Sequence, residues 1–189
     1  MHPMLATVLA LALGACLLIA GCASSTTNPT ADRADTTMAA SAPRADFAGL
    51  VDIGGGRKMY MKCRGTGSPT VVLVSGLGNA ADVWSVTSDP KNGRPVFAEV
   101  AKFTRVCAYD RPGTTRQDGK LSPSTPVPQP TSAKAAASDL DALLRASGEP
   151  GPYVLAGHSF GGPIIRLYTG AHPAEVGGLV LVDALSEDL

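Results

Sequence analysis

The chain has 189 residues, enough for one domain, and its 16 Lys+Arg balance its 16 Asp+Glu. No basic block points to nucleic acid, and no acidic tail points to a cationic partner. The 44% hydrophobic content is ample for a core, although the N-terminal stretch inflates it.

Met4 to Gly21 carries no charge and is mostly Leu, Ala, Val and Ile. It ends in Leu18-Ile19-Ala20-Gly21-Cys22, which resembles a bacterial lipoprotein signal with Ile19 to Cys22 as its lipobox. That resemblance makes residues 1–22 a signal peptide and the thiol of Cys22 the lipid acceptor. A positive segment normally precedes the apolar run, and here only His2 does. An ordinary secretory signal and an uncleaved membrane anchor therefore stay open. All three readings place the domain outside the cytoplasm, and the first anchors it to the outer face of the plasma membrane. Residues 23–46 are Ala, Ser, Thr, Asp and Pro with almost no large apolar side chain, the composition of a flexible tether. As a coil it spans roughly 25–30 Å.

Residues 47–189 carry the domain. Leu50 to Ile53, a triple glycine and Lys58 to Cys63 predict a hairpin. Thr70 to Val74 is a continuous apolar run, as in a strand buried on both faces. It opens into Ser75-Gly76-Leu77-Gly78-Asn79. Trp84 is expected near the mouth of a site, Asp89 to Gly93 as a surface turn, and Val96 to Lys102 as a short helix. Thr104 to Tyr109 predicts a strand ending in Asp110-Arg111-Pro112-Gly113, where Asp110 reads as a loop cap before a catalytic acid. Gly119 to Pro130 is a proline-rich loop. Thr131 or Ser132 caps a helix with Leu140, Leu143 and Leu144 on one face, and Gly148 and Pro150 end it.

Tyr153 to Gly162 organises the rest. An apolar run breaks at Gly157, turns at Ser159 and continues into a helical pattern with Pro163 in its first turn. Ile164, Leu167 and Tyr168 are expected on the buried face of that helix. Gly178 to Asp183 reads as the last buried strand. A nucleophilic serine needs a tight bend, small flanking residues and a helix N-terminus to receive developing negative charge. Gly157-His158-Ser159-Phe160-Gly161-Gly162 meets each need and resembles the nucleophile elbow of the α/β-hydrolase superfamily. The resemblance covers 47–189 and is nearest to exported actinobacterial members.

It implies an α/β fold: a mostly parallel sheet of about six strands with an N-terminal antiparallel hairpin. It implies acyl transfer from a small ester or thioester through Ser159, with the backbone N–H groups of Leu77 and Phe160 as oxyanion donors. No cofactor is implied, no His/Cys pattern suggests a metal, and the partners are a small-molecule substrate and, through lipid, a membrane. In the superfamily's strand order Cys63 and Cys107 fall on neighbouring strands. They are therefore a disulfide candidate in an exported protein, with two free buried thiols as the alternative.

The base is missing from the pattern. After Ser159 the superfamily order is an acid and then a histidine. His172 lies at the far end of the helix, His158 points away from its neighbour, and His2 is in the signal. Asp183 is a weak acid candidate, and Glu187 and Asp188 are terminal. The expectation is a C-terminally truncated hydrolase of impaired activity, without lid or last strands, whose Leu179 to Val182 edge invites aggregation. The competing expectation is a non-catalytic envelope lipoprotein or decaying fragment on the same fold.

Overall fold

The computed structural model describes residues 44–89, 91 and 93–186, all within the compact unit Ser41–Leu189. The signal segment, Cys22, most of the tether, and Glu187 and Asp188 lie outside the described residues.

Strands β1 (Phe47–Gly54) and β2 (Arg57–Arg64) form the antiparallel hairpin. Gly54, Gly55 and Gly56 turn it at φ 85°, 62° and 74°, a region that costs glycine little. Strands β3 (Thr70–Val74), β4 (Val106–Tyr109), β5 (Tyr153–His158) and β6 (Val176–Val182) follow. The sheet order is β1-β2-β4-β3-β5-β6. β2 meets β4 antiparallel, and β4, β3, β5 and β6 run parallel. The expected α/β sheet with its antiparallel hairpin is thus present, with six strands.

Alternation sorts the side chains onto two faces. Val72 and Val74 of β3, Met59 and Met61 of β2, and Leu155 of β5 pack under two helices, α2 (Ala133–Ser147) and α3 (Gly161–Ala171). Helix α2 starts where the Ser132 hydroxyl accepts the Ala135 N–H at 3.1 Å and stops at Gly148, φ 65°. On the opposite face Leu73, Val106, Ala108 and Ala156 meet only a 3-10 turn (Ala81–Ser85) and the short helix α1 (Val96–Val100).

Three expectations change. Leu167 is 46% exposed, because Ile164, Ile165 and Tyr168 form the face that α3 turns to the sheet. Helix α1 stops at Val100, two residues early. β6 is not buried: Leu179, Val180, Leu181 and Val182 are each 39–48% exposed. It pairs only with β5, and no described element covers its outer edge.

Cys63 and Cys107 sit directly opposite in the β2–β4 register, with their sulfur atoms 2.07 Å apart. Nearby, the buried Arg105 guanidinium donates to Glu149 at 2.8 and 3.2 Å and to the Ala45 and Gly65 carbonyls. Nothing in the sequence pattern announces this buried ion pair.

Candidate active site

The site is built where β5 becomes α3. Ser159 has φ 49°, a left-handed conformation that a non-glycine residue holds only when its surroundings fix it. The surroundings do so. The Ser159 N–H donates to Val182 O at 3.2 Å, and its carbonyl accepts from Gly162 N at 2.9 Å and Leu185 N at 3.1 Å. Close approach explains the flanking glycines. A Cβ at Gly157 would stand 2.6 Å from Gly161 O, and one at Gly161 would collide with Val74 O. Strand and helix cross too tightly for any side chain at either position.

The loop after β3 lies against the elbow. A Cβ on Gly76 would be 3.3 Å from Ser159 Cβ and 2.9 Å from His158 Nδ1. The same loop is held from below. Trp84 Nε1 donates to Ser75 Oγ at 3.0 Å, and Ser75 Oγ donates to Ala80 O at 3.1 Å. Arg111 Nη1 donates to Ser75 O at 2.7 Å, and its Nη2 donates to Gly76 O. Among the described residues, neither the Leu77 N–H nor the Phe160 N–H donates to a backbone acceptor. Leu77 itself is 75% exposed.

Asp110 is a brace. Its Oδ1 accepts the Ala81 N–H at 2.7 Å, which starts the 3-10 turn carrying Trp84. Burial pushes its carboxyl above the usual range, against the pull of that N–H. Burial likewise lowers Arg111, which is 5% exposed. Lys62 is lowered by burial too; it donates to Ser85 Oγ at 2.7 Å and rests over the Phe97 ring.

The histidines stand elsewhere. The His158 ring packs edge-on against Trp84, with centroids 6.4 Å apart. His172 lies at the other end of α3, with Nε2 3.5 Å from Asp141 and Nδ1 3.9 Å from Glu175. Asp141, His172 and Glu175 offer ligand atoms within 4.8 Å of one another. Arg145 already pairs with both carboxylates, at 2.8 and 3.3 Å, which opposes a cation there. Asp183 follows β6, exposed, at φ 44°.

The structure therefore brings Ser159, Leu77 and Phe160 to one place, leaves Asp183 exposed at the end of the neighbouring strand, and, among the described residues, joins no histidine to the serine. Sequence reasoning weighed Asp110 in the Asp110-Arg111-Pro112-Gly113 tetrapeptide and passed over Arg111. The signal was a cation two residues beyond the fully buried strand β4.

The family model described as the alpha/beta hydrolase family matches residues 71–189. An uncharacterized protein of Schizosaccharomyces pombe is 38% identical over 81 residues, which is 43% of this chain and 14% of that protein. Among solved structures, the lip1 protein of Acinetobacter baumannii AYE superposes with a TM-score of 0.61 and 25% identity, over 74% of this chain and 42% of its own. A membrane phospholipase A, a bacterial virulence factor, gives 0.57 and 26%, over 75% and 40%. The chain thus spans less than half the length of each of these relatives.

Proposed function

The chain belongs to the alpha/beta hydrolase family, and from that membership we propose that Ser159 is the nucleophile of an acyl transfer from a small carboxylic ester or thioester. The observation that carries the reading is the Ser159 elbow facing the Gly76–Leu77 loop, beside two amides that donate to no backbone acceptor among the described residues. Ser159 Oγ attacks the carbonyl carbon and gives its proton to a base. The carbonyl oxygen becomes an oxyanion received by the Leu77 and Phe160 N–H groups. The tetrahedral adduct expels the alcohol or thiol, and water then releases the acid. The likeness to a phospholipase A supports an ester substrate.

Residues 44–186 by themselves are an impaired hydrolase in this reading. His158 is turned to Trp84 and His172 to Asp141 and Glu175, so neither takes the Ser159 proton. Loss of the base from a serine triad lowers turnover by roughly a millionfold in subtilisin. Asp183 is the acid candidate only together with a histidine from outside the described residues. The same arrangement favours the second reading, a hydrolase fold without catalysis.

A fluorophosphonate probe separates the two. The nucleophile reading expects labelling of folded protein, slowed by the missing base, that disappears in Ser159→Ala. No labelling of the folded parent leaves the non-catalytic reading. We further propose that Cys22 is lipidated and holds the domain at the outer face of the bacterial plasma membrane, with residues 23–46 as the tether. A palmitate analogue is expected in the membrane fraction of the parent and absent from Cys22→Ser; equal labelling of both ends this proposal.

A further inference from the structure

Among the described residues two arginines are buried, Arg105 and Arg111, and they are used differently. Arg105 meets a carboxylate, Glu149, through two hydrogen bonds. Arg111 is as deeply buried, at 5% exposure, and no ion pair joins it to a carboxylate among the described residues. Its fork lies on two successive carbonyls, Ser75 O and Gly76 O. Its guanidinium carbon is 5.9 Å from the centre of the Phe160 ring. The neighbouring Tyr109 hydroxyl and Asp110 carboxyl favour its charge, yet its fork is spent on main-chain oxygens rather than on a carboxylate. Arg111 thus touches both segments that carry the Leu77 and Phe160 amides.

Peptide geometry gives the contact its meaning. In a trans peptide the C=O and the following N–H point in opposite directions. Gly76–Leu77 is trans. Fixing the Gly76 oxygen on Arg111, with the Asn79 N–H at 3.2 Å as a second donor, aims the Leu77 N–H the other way. Charge-assisted bonds from a planar fork hold orientation better than neutral ones. The Ser75 carbonyl, taken by the other arm at 2.7 Å, removes the remaining freedom of the loop to flip.

We propose that Arg111 is a positioning residue for the oxyanion hole: it fixes the Gly76–Leu77 peptide so that the Leu77 N–H faces the reacting carbonyl oxygen, and it places a positive charge behind that amide. The proposal rests on the reading of Ser159 as nucleophile. It assigns Arg111 no contact with substrate.

The test uses the full chain and a fluorophosphonate, whose P=O gains negative charge as Ser159 Oγ adds and fluoride leaves. The maximal inactivation rate and the half-saturating probe concentration are measured for the parent, Arg111→Gln, Arg111→Lys and a destabilised control, Ile165→Val. Arg111→Gln is expected to lower the maximal rate about a hundredfold, the size of losing one oxyanion donor, with half-saturation nearly unchanged. Arg111→Lys keeps the charge but not the fork and is expected to fall between. It carries the test alone if the glutamine variant melts. Ile165→Val, similarly destabilised in a thermal melt, is expected to react like the parent. A parent that reacts, with Arg111 variants reacting equally fast or no slower than Ile165→Val, overturns the proposal and leaves the nucleophile standing. A parent that does not react at all overturns both.

Discussion

The two faces of the sheet carry the same alternation of apolar residues and are covered very differently. On one face α2 and α3 shield β2 to β5, and Leu140, Leu143, Ile164 and Ile165 have no solvent exposure. On the other, a 3-10 turn and a five-residue helix leave a groove of ≈ 520 Å³, lined by Val71, Leu73, Val154, Ala156, Val180 and Val182 among others. The edges differ likewise. Behind the edge strand β1 a disulfide ties β2 to β4, whereas the other edge strand, β6, pairs only with β5 and carries no covalent tie among the described residues. Cover, not pattern, is what separates a core from an apolar surface.

The largest expected effect comes from opening the covered face. Leu140→Ala should lower stability by about 2–5 kcal/mol, while Leu181→Ala, already 45% exposed, should cost well under that range. Chemical denaturation of the two variants measures the gap, and equal losses would mean that β6 is covered in solution. Next, replacing both Cys63 and Cys107 by Ser opens a loop of sequence separation 44 and should cost up to roughly 4 kcal/mol. The same unfolding curve with and without reductant checks it.

A third test reads the interior of β4. The Tyr109 hydroxyl is buried, and burial pushes its pKa to about 12 from 10.0, against the pull of the neighbouring Arg111 guanidinium. The folded protein therefore holds the proton after the unfolded chain has lost it. The associated stability is intact below pH 10 and lost as pH rises through 12. Tyr109→Phe should flatten that alkaline loss. An unaltered alkaline profile would place the titration elsewhere. The smallest effect on stability is expected at the open edge. Val180→Lys should change it by about 0.5 kcal/mol or less yet reduce association in light scattering. Unchanged scattering would show that β6 does not drive self-association.

Local pattern was enough for most of the elements. The hairpin glycines, the continuous run in β3, the Ser132 cap and Gly148 stop of α2, and the glycine-flanked bend at Ser159 each reflect steric and hydrogen-bonding needs met within a few residues. The elbow was legible because Gly157 and Gly161 exclude side chains for a local reason. Leu167 was misplaced because helical spacing admits two neighbouring faces, and only the position of the sheet chooses between them. β6 was misread for a related reason. Continuous apolar sequence marks a strand able to be buried, while burial needs a second layer.

By itself the sequence determined the strands, the helices, the sharp turn and the candidate nucleophile, because these follow from backbone sterics and short-range periodicity. Tertiary structure alone decided which carbonyls Arg111 holds, where the rings of His158 and His172 turn, which carboxylate neutralises Arg105 and which face of the sheet stays open. Those outcomes depend on groups tens of residues apart meeting in space, as Arg111 meets Ser75 across 36 positions. No local propensity encodes such a meeting.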